Sequence, residues 1–253
     1  MKEIGRGIGE EAPREFVVRR WSEGIARIAA AFFPKPFIVC TSDRKTNEYA
    51  RLVGGASSSP WRRTRCSPSA ARRATMRPRY AEGFVLECAA LVREEMGIRN
   101  VKVMIPFYRT VDEATRVIAV IAEHGLQQGH AGLEAWAMCE VPSNVLLADS
   151  FLHVFDGYST GSNDLTQVAL GIDRDSGTVA HLFDERSDAV RRMIHEAIAA
   201  AKRRDKPGIC GQAPSDSPEF AECLVREGTD SISLNPDVAI AAAEASLARK
   251  TKR

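Results

Sequence analysis

The chain has 253 residues, 44% of them hydrophobic and 27% charged, with a formal net charge of +2. That length suits one large domain or two small ones, and the composition is that of a folded globular protein, which excludes wholesale disorder, collagen and coiled coil. No long uninterrupted apolar run is present, and Lys2, Glu3, Arg6, Glu10, Glu11, Arg14, Glu15, Arg19 and Arg20 crowd the start, so neither a membrane span nor a signal peptide is expected and the predicted location is the cytoplasm.

In chain order, the first predicted element is an amphipathic helix over Glu23 to Phe33, followed by a strand, Phe37-Ile-Val-Cys40. The next stretch breaks the pattern. Arg62, Arg63, Arg65, Arg72, Arg73, Arg77 and Arg79 are close together, no Asp or Glu lies between Arg51 and Ala81, and without these seven charges the net would be −5. Residues 55–79 therefore read as an irregular Arg-rich segment inside one domain spanning 1–253. Such an arm could bind nucleic acid through phosphates, but only Trp61 and Tyr80 are near enough to stack on bases, so nucleic acid is not the expected partner.

From Asn100 onward the alternation is regular. Val101 to Phe107 is an apolar run, and Thr110-Val-Asp-Glu113 has capping-box spacing before a helix with a stripe of Ala114, Val117, Ile118 and Ile121 and a stop at Gly125. Strands follow at Ala135–Glu140 and from about Val154 to Gly161, then a long helix over Asp188 to Arg204 and a strand at Pro207–Cys210. Ser217-Pro218-Glu219 starts a helix to about Glu227, Ser231–Asn235 is the last strand, and Asp237 opens the terminal helix. Strands alternating with helices predict an α/β fold with a parallel sheet. Glu140, Asp164, Cys210 and Asn235 fall at or just beyond strand C-termini, which favours a TIM-type barrel over an open sheet.

Two carboxylates at neighbouring strand ends, Glu140 and Asp164, suit Mg²⁺, which takes one or two protein carboxylates and leaves room for water and an anionic substrate. By spacing alone, a helix cap or a solvated loop charge is the commoner fate of such residues. Gly161-Ser-Asn-Asp164 precedes an apolar helical stretch, so its backbone N–H groups could hold an anion or its side chains could simply cap the helix. Cys210 is either a small core residue or a general acid at the rim. The six cysteines have no C-x-x-C spacing and are expected to be reduced, and the five histidines have no metal-ligand spacing.

Several longer motifs then carry a resemblance: Met138-Cys-Glu-Val-Pro-Ser-Asn144, Gly161-Ser-Asn-Asp-Leu-Thr-Gln167, Asp173-Arg-Asp-Ser-Gly177, His181-Leu-Phe-Asp-Glu-Arg186, Gly208-Ile-Cys-Gly-Gln212 and Ser231-Ile-Ser-Leu-Asn-Pro236. In this order they resemble the C-terminal phosphoenolpyruvate/pyruvate-binding domain of the phosphoenolpyruvate synthases, a (β/α)8 barrel. The resemblance covers about Pro13 to Gly54 and Pro78 to Ala241. It implies an enzyme family that turns ATP, pyruvate and water into AMP, phosphoenolpyruvate and phosphate. It implies Mg²⁺ on Glu140 and Asp164, with Glu140, Gly161, Ser162, Asn163 and Asp164 at the substrate and Cys210 as the proton donor and acceptor at the methyl carbon.

The departures imply an incomplete barrel. Cys40 and Ala70 stand where the family has substrate-binding arginines, and the insert between matching flanks suggests compensated frameshifts near Gly55 and Pro78. The first barrel strand is expected to be missing and the third-strand region disrupted. The family's ATP-grasp and phosphohistidine domains are not recognisable here, so activity in isolation is expected to be negligible and a separate chain is the expected partner. A homodimer covering exposed sheet edges is a further expectation. Two alternatives stay open: a standalone Mg²⁺-dependent lyase using a pyruvate enolate, with Arg109 as replacement cation, and a non-catalytic binding module.

Overall fold

Each apolar run expected to be a strand beyond the Arg-rich stretch does form one, and the helices between them are set by where their apolar stripes and caps fall. The computed structural model describes residues 7–42, 78–92, 97–174, 176–204 and 206–250. They belong to two compact units, one of Met1–Tyr108 and Asp112–Ala135, the other of Arg109–Val111 and Trp136–Arg253.

In the first unit, helix α1 (Pro13–Phe32) leads into β1 (Phe37–Cys40). The helix begins ten residues before the expected Glu23, because Pro13 sits at its first position, where the absent N–H costs nothing. Its early turns are polar but self-supporting: Arg19 donates to Glu11 at 3.0 Å and to Glu23 at 2.9 Å. Helix α2 (Pro78–Leu91), which the periodicity did not reveal, packs against α1, with Ser22 Oγ donating to the Ala90 carbonyl at 3.1 Å. Strand β2 (Val101–Ile105) pairs in parallel with β1, from Phe37 opposite Val101 to Cys40 opposite Met104. Asn100 secures this entry, since its side-chain amide donates to the carbonyls of Ala29 and Lys35, both at 2.8 Å. Helix α3 (Val111–Glu123) starts right after Thr110, as the capping-box spacing predicts, and buries Ala114, Val117 and Ile121.

In the second unit four strands pair in parallel and in chain order: β3 (Ala135–Cys139), β4 (Gly157–Gly161), β5 (Pro207–Cys210) and β6 (Ser231–Ile232). Between β3 and β4 lie two short helices, α4 (Pro142–Leu146) and α5 (Ala148–Phe151), so β4 begins at Gly157 rather than at the expected Val154. Helix α6 (Ser162–Leu170) follows β4 directly and stops at Gly171, whose φ of 65° suits a residue without a Cβ. Helix α7 (Asp188–Lys202) lies on β4 and β5 and buries Val190, Ile194, Ala197, Ile198 and Ala201. Helices α8 (Ala213–Asp216), α9 (Pro218–Glu227) and α10 (Pro236–Lys250) complete the unit.

The start of α9 is as predicted: the Ser217 hydroxyl accepts from the Phe220 N–H and Pro218 is first in the helix. Strand β6 is shorter than the expected Ser231–Asn235 because after Ile232 the ladder keeps only the Ser233 N–H on the Ile209 carbonyl, at 3.0 Å.

The class is thus α/β with parallel strands, consistent with an incomplete TIM-type barrel, and among the described residues no strand precedes α1. The Arg-rich segment, the proposed frameshifts and the disrupted third strand lie outside the described residues, except where α2 begins at Pro78. Among the described residues no helix is long and apolar enough to cross a membrane.

Candidate active site

Parallel pairing puts the C-terminal ends of β3, β4 and β5 side by side, and the register decides which residues meet there. Cys139 is opposite Thr160, so Glu140, the next residue, comes beside Gly161. A Cβ on Gly161 would lie 3.0 Å from the Glu140 Cβ and 3.1 Å from the Met138 sulfur, so the close approach of Glu140 depends on a residue without a side chain. Across the next pairing, Gly161 is directly opposite Cys210. Strand register alone therefore brings Glu140, Gly161 and Cys210 together.

Glu140 is 2% exposed. The turn that presents it is held by Asn144, whose side-chain oxygen accepts from the backbone N–H of Glu140 at 3.2 Å and of Val141 at 3.0 Å. Asn144 is in turn fixed through its carbonyl, which accepts from the Tyr158 hydroxyl at 2.7 Å. The Ser143 hydroxyl donates to the Arg109 carbonyl at 2.9 Å, so the Arg109 backbone abuts the same turn.

Ser162, Asn163 and Asp164 form the first turn of α6, where a carboxylate and a bound anion both gain from the helix dipole. Ser162 is fully buried, and its carbonyl accepts from the Thr166 hydroxyl at 2.7 Å. The Asn163 side-chain oxygen accepts from the Gln212 N–H at 2.7 Å, which ties the loop after β4 to the loop after β5. The two loops touch so closely that a Cβ on Gly211 would collide with the Ser162 hydroxyl and lie 2.9 Å from the Asn163 oxygen.

Cys210 sits between these parts. Burial pushes its thiol up to about 12, the Ser159 hydroxyl bonded to it at 3.6 Å pulls the other way, and the charges of Glu140 and Asp164 both add to the rise. Both carboxylates thus act on one sulfur, and as the chain stands the thiol is held in its protonated form. Cys139, one residue before Glu140, is buried outright and pushed up for the same first reason.

The sequence reading missed several residues of this region. Asn144, Tyr158, Ser159 and Glu185 have no spacing signature of their own, although Asn144 and Glu185 lie inside two of the longer motifs. Glu185 is 8% exposed, and burial raises its pKa, while the Ser162 hydroxyl donates to the Cys210 carbonyl at 3.5 Å. Asn235, expected at the rim, precedes α10 and its N–H donates to the Ser215 hydroxyl at 2.9 Å. Of the histidines, His195 pairs with Glu227 at 2.6 Å on an exposed face, and His153 Nδ1 meets the Asp149 carbonyl at 2.6 Å. Among the described residues no group of three or more His, Cys, Asp or Glu side chains gathers as a metal cluster.

Residues 10–251 match the family described as PEP-utilising enzyme, PEP-binding domain. The chain belongs to that family. Curated relatives include phosphoenolpyruvate synthases from Synechocystis (58% identical over 233 residues, 90% of this chain and 28% of that protein) and Helicobacter pylori (53% over 238 residues, 92% and 29%). The Escherichia coli phosphoenolpyruvate synthase is 52% identical over 235 residues, 92% of this chain and 30% of its own length. This PEP-binding domain therefore spans about three tenths of the length of the curated relatives it matches.

Proposed function

We propose that this domain binds pyruvate and phosphoenolpyruvate at the β3–β5 rim and moves the proton at the methyl carbon, as the terminal part of a phosphoenolpyruvate synthase reaction. The observation that carries the reading is the register that sets Glu140, Gly161 and Cys210 side by side, with Asp164 in the first turn of the helix after Gly161, in a chain whose close relatives are phosphoenolpyruvate synthases.

The residues suit a magnesium ion. Glu140 and Asp164 offer hard oxygen donors, and the charges of both act on the Cys210 thiol. Mg²⁺ on these two carboxylates would supply positive charge next to the oxygen that becomes anionic when pyruvate enolises. Backbone N–H groups at the start of α6, at Ser162 and Asn163, would orient the substrate's carboxylate.

In the direction of pyruvate formation the Cys210 S–H bond breaks, its proton joins the terminal carbon of the enolate, and the enolate oxygen pair becomes the carbonyl double bond. In the reverse direction a methyl C–H breaks, the sulfur takes the proton and the electrons settle on oxygen. The raised thiol is ready for the first direction, and Ser159 is placed to stabilise the thiolate that remains. The phosphoryl group would come from a phosphohistidine carried on other parts of such a synthase, so the chain alone should form no phosphoenolpyruvate from ATP and pyruvate.

The test is deuterium uptake into the pyruvate methyl group, followed by NMR in D2O with the full chain and Mg²⁺. Wild type should exchange, and Cys210→Ala should slow exchange about a hundredfold or more, the usual share of a positioned acid–base group. No metal-dependent exchange in wild type, or exchange indifferent to Cys210→Ala, rejects the reading. AMP and phosphoenolpyruvate from the chain alone would reject the dependence on further parts.

A further inference from the structure

Side chains alternate between the two faces of a strand, so Ser159 shares the face of Gly161, and Gly208 shares that of Cys210. In the register Ser159 is opposite Gly208, and Gly208 is opposite Ser231 on β6. One row beneath Gly161 and Cys210, a serine therefore stands on either side of a glycine. A Cβ on Gly208 would lie 2.8 Å from the Ser231 Oγ and 3.4 Å from the Ser159 Oγ, with the Trp136 ring also at 3.4 Å. Both hydroxyls thus reach toward one place beside the Gly208 backbone, close enough for a single water to join them.

The two ends of this row differ in what they touch. Ser159 is 4% exposed, and its hydroxyl donates to the Cys210 sulfur at 3.6 Å. Ser231 is exposed. A hydroxyl donates one hydrogen bond and can accept two more, so Ser159 can give a proton to sulfur on one side and take one up on the other. The row leads from solvent at Ser231 to the thiol of Cys210, and it reaches the sulfur from beneath the strand ends. A substrate seated at the rim shields the thiol from water above and leaves this lower approach in place.

We propose that Ser159 and Ser231 are a proton relay that joins Cys210 to solvent while substrate covers the rim. The inference rests on the proton transfer proposed above and adds where that proton comes from. Once the thiol has given its proton to the enolate carbon, the Ser159 O–H bond breaks and the S–H bond forms again. The Ser159 oxygen takes a proton from the bridging water, the water takes one from Ser231, and Ser231 takes one from solvent. Each oxygen in the row loses one O–H bond and gains one, so the net change is one proton moved from solvent to sulfur. Run backwards, the same steps discharge the proton that sulfur takes from the pyruvate methyl group.

Deuterium uptake into the pyruvate methyl group, in D2O with the full chain and Mg²⁺, tests the relay through its exposed end. Ser231→Ala should slow uptake about tenfold, less than the loss of the acid–base group itself, because the inner serine remains. Pyruvate affinity by calorimetry and the melting temperature should stay at their wild-type values. Imidazole in rising concentration should restore uptake in Ser231→Ala and leave wild type unchanged, since a small acid can replace the lost hydroxyl as a proton source. Ser231→Thr keeps the hydroxyl and should stay within about threefold of wild type.

Wild-type uptake in Ser231→Ala overturns the relay. So does slow uptake that comes with weaker binding or a lower melting temperature, or that imidazole fails to restore, because each is the mark of a structural role. Ser159→Ala breaks the row at its inner end and should slow uptake at least as much with pyruvate affinity kept. An effect at Ser159 without one at Ser231 would confine Ser159 to holding the thiol and overturn the relay as well. Absence of uptake in wild type rejects the proposed function and the relay with it, whereas uptake in wild type that is indifferent to Ser231 rejects the relay alone.

Discussion

The end of β1 and the end of β5 both finish in a cysteine, and they have little else in common. Cys40 is exposed, on a strand that is only half covered along its length, and its thiol lies 3.2 Å from the Thr41 carbonyl next in the chain. Cys210 follows three buried residues, bonds a buried serine from the neighbouring strand and feels two carboxylates from two other segments. The same residue at the same kind of place in a β/α unit is thus a surface group in one unit and the focus of a polar network in the other. What separates them is long-range: the register of β3, β4 and β5 supplies the neighbours, and the four-residue strand carries almost none of that information itself.

The sharpest test of the contrast is the thiols' own reactivity. Burial and the charges of Glu140 and Asp164 hold the half-buried Cys210 thiol up to about 12, so its thiolate is scarce at pH 8 and grows as pH rises. Cys40 should be alkylated at least about a hundredfold faster than Cys210 at that pH, and the Cys210 rate should still be climbing at pH 11. Comparable rates at pH 8 would erase the distinction. Mg²⁺ should speed Cys210 and leave Cys40 alone, since the charges of Glu140 and Asp164 help hold the thiol up.

Next in size is a packing test confined to the second unit. Gly157 is opposite Trp136, and a Cβ there would press on the indole ring, 2.5 Å from Cδ2. Gly157→Ala should cost on the order of 1–3 kcal/mol, the usual range for overpacking, and lower the melting temperature by about 2–4 °C per kcal/mol for a chain of this size. Calorimetry with a wild-type melting temperature would mean the strands yield more than their register suggests. Gly211→Ala, whose new Cβ collides with Ser162, should instead weaken pyruvate binding more than it lowers stability.

These glycines also mark how far the sequence can be read. The strand and helix order from Asn100 onward was legible because apolar runs, a capping box at Thr110 and an N-cap at Ser217 are local signals. Helix α1 was cut short because ion pairs such as Arg19 with Glu11 and Glu23 support turns that have no apolar stripe. The predicted rim residues lie at neighbouring strand ends: Glu140 just after β3, Gly161 at the end of β4, Ser162, Asn163 and Asp164 in the first turn of α6, and Cys210 at the end of β5. Asn144 and Ser159 were illegible because each matters through a partner fourteen or fifty-one residues away.

Glu185 yields a smaller effect with a definite sign. Burial, the largest influence, raises its pKa in the folded chain. The stability contributed by its neutral form is therefore complete below the ordinary carboxylate range and is lost as pH rises through the raised value. Gln cannot ionise, so Glu185→Gln should melt above wild type at pH 7, and the difference should vanish in acid near pH 3.5. A gain that persists unchanged in acid would mean that the carboxylate's charge is not what costs stability.

The smallest effect is expected at the opposite pole of the comparison. Cys40→Ala removes an exposed sulfur at the end of β1, where the backbone is already secured by its pairing with β2 and by the Thr41 N–H on the Met104 carbonyl at 2.9 Å. Surface changes of this kind usually stay within about 0.5 kcal/mol, so its denaturation midpoint should match that of wild type. The Cys210 alkylation rate and pyruvate exchange should match as well, because the bonds of Asn144, Tyr158 and Asn163 at the β3–β5 rim are made within the second unit. A Cys40→Ala variant that altered either rate would show that the two strand ends share a function, and the division drawn between an inert rim and a working one would have to be abandoned.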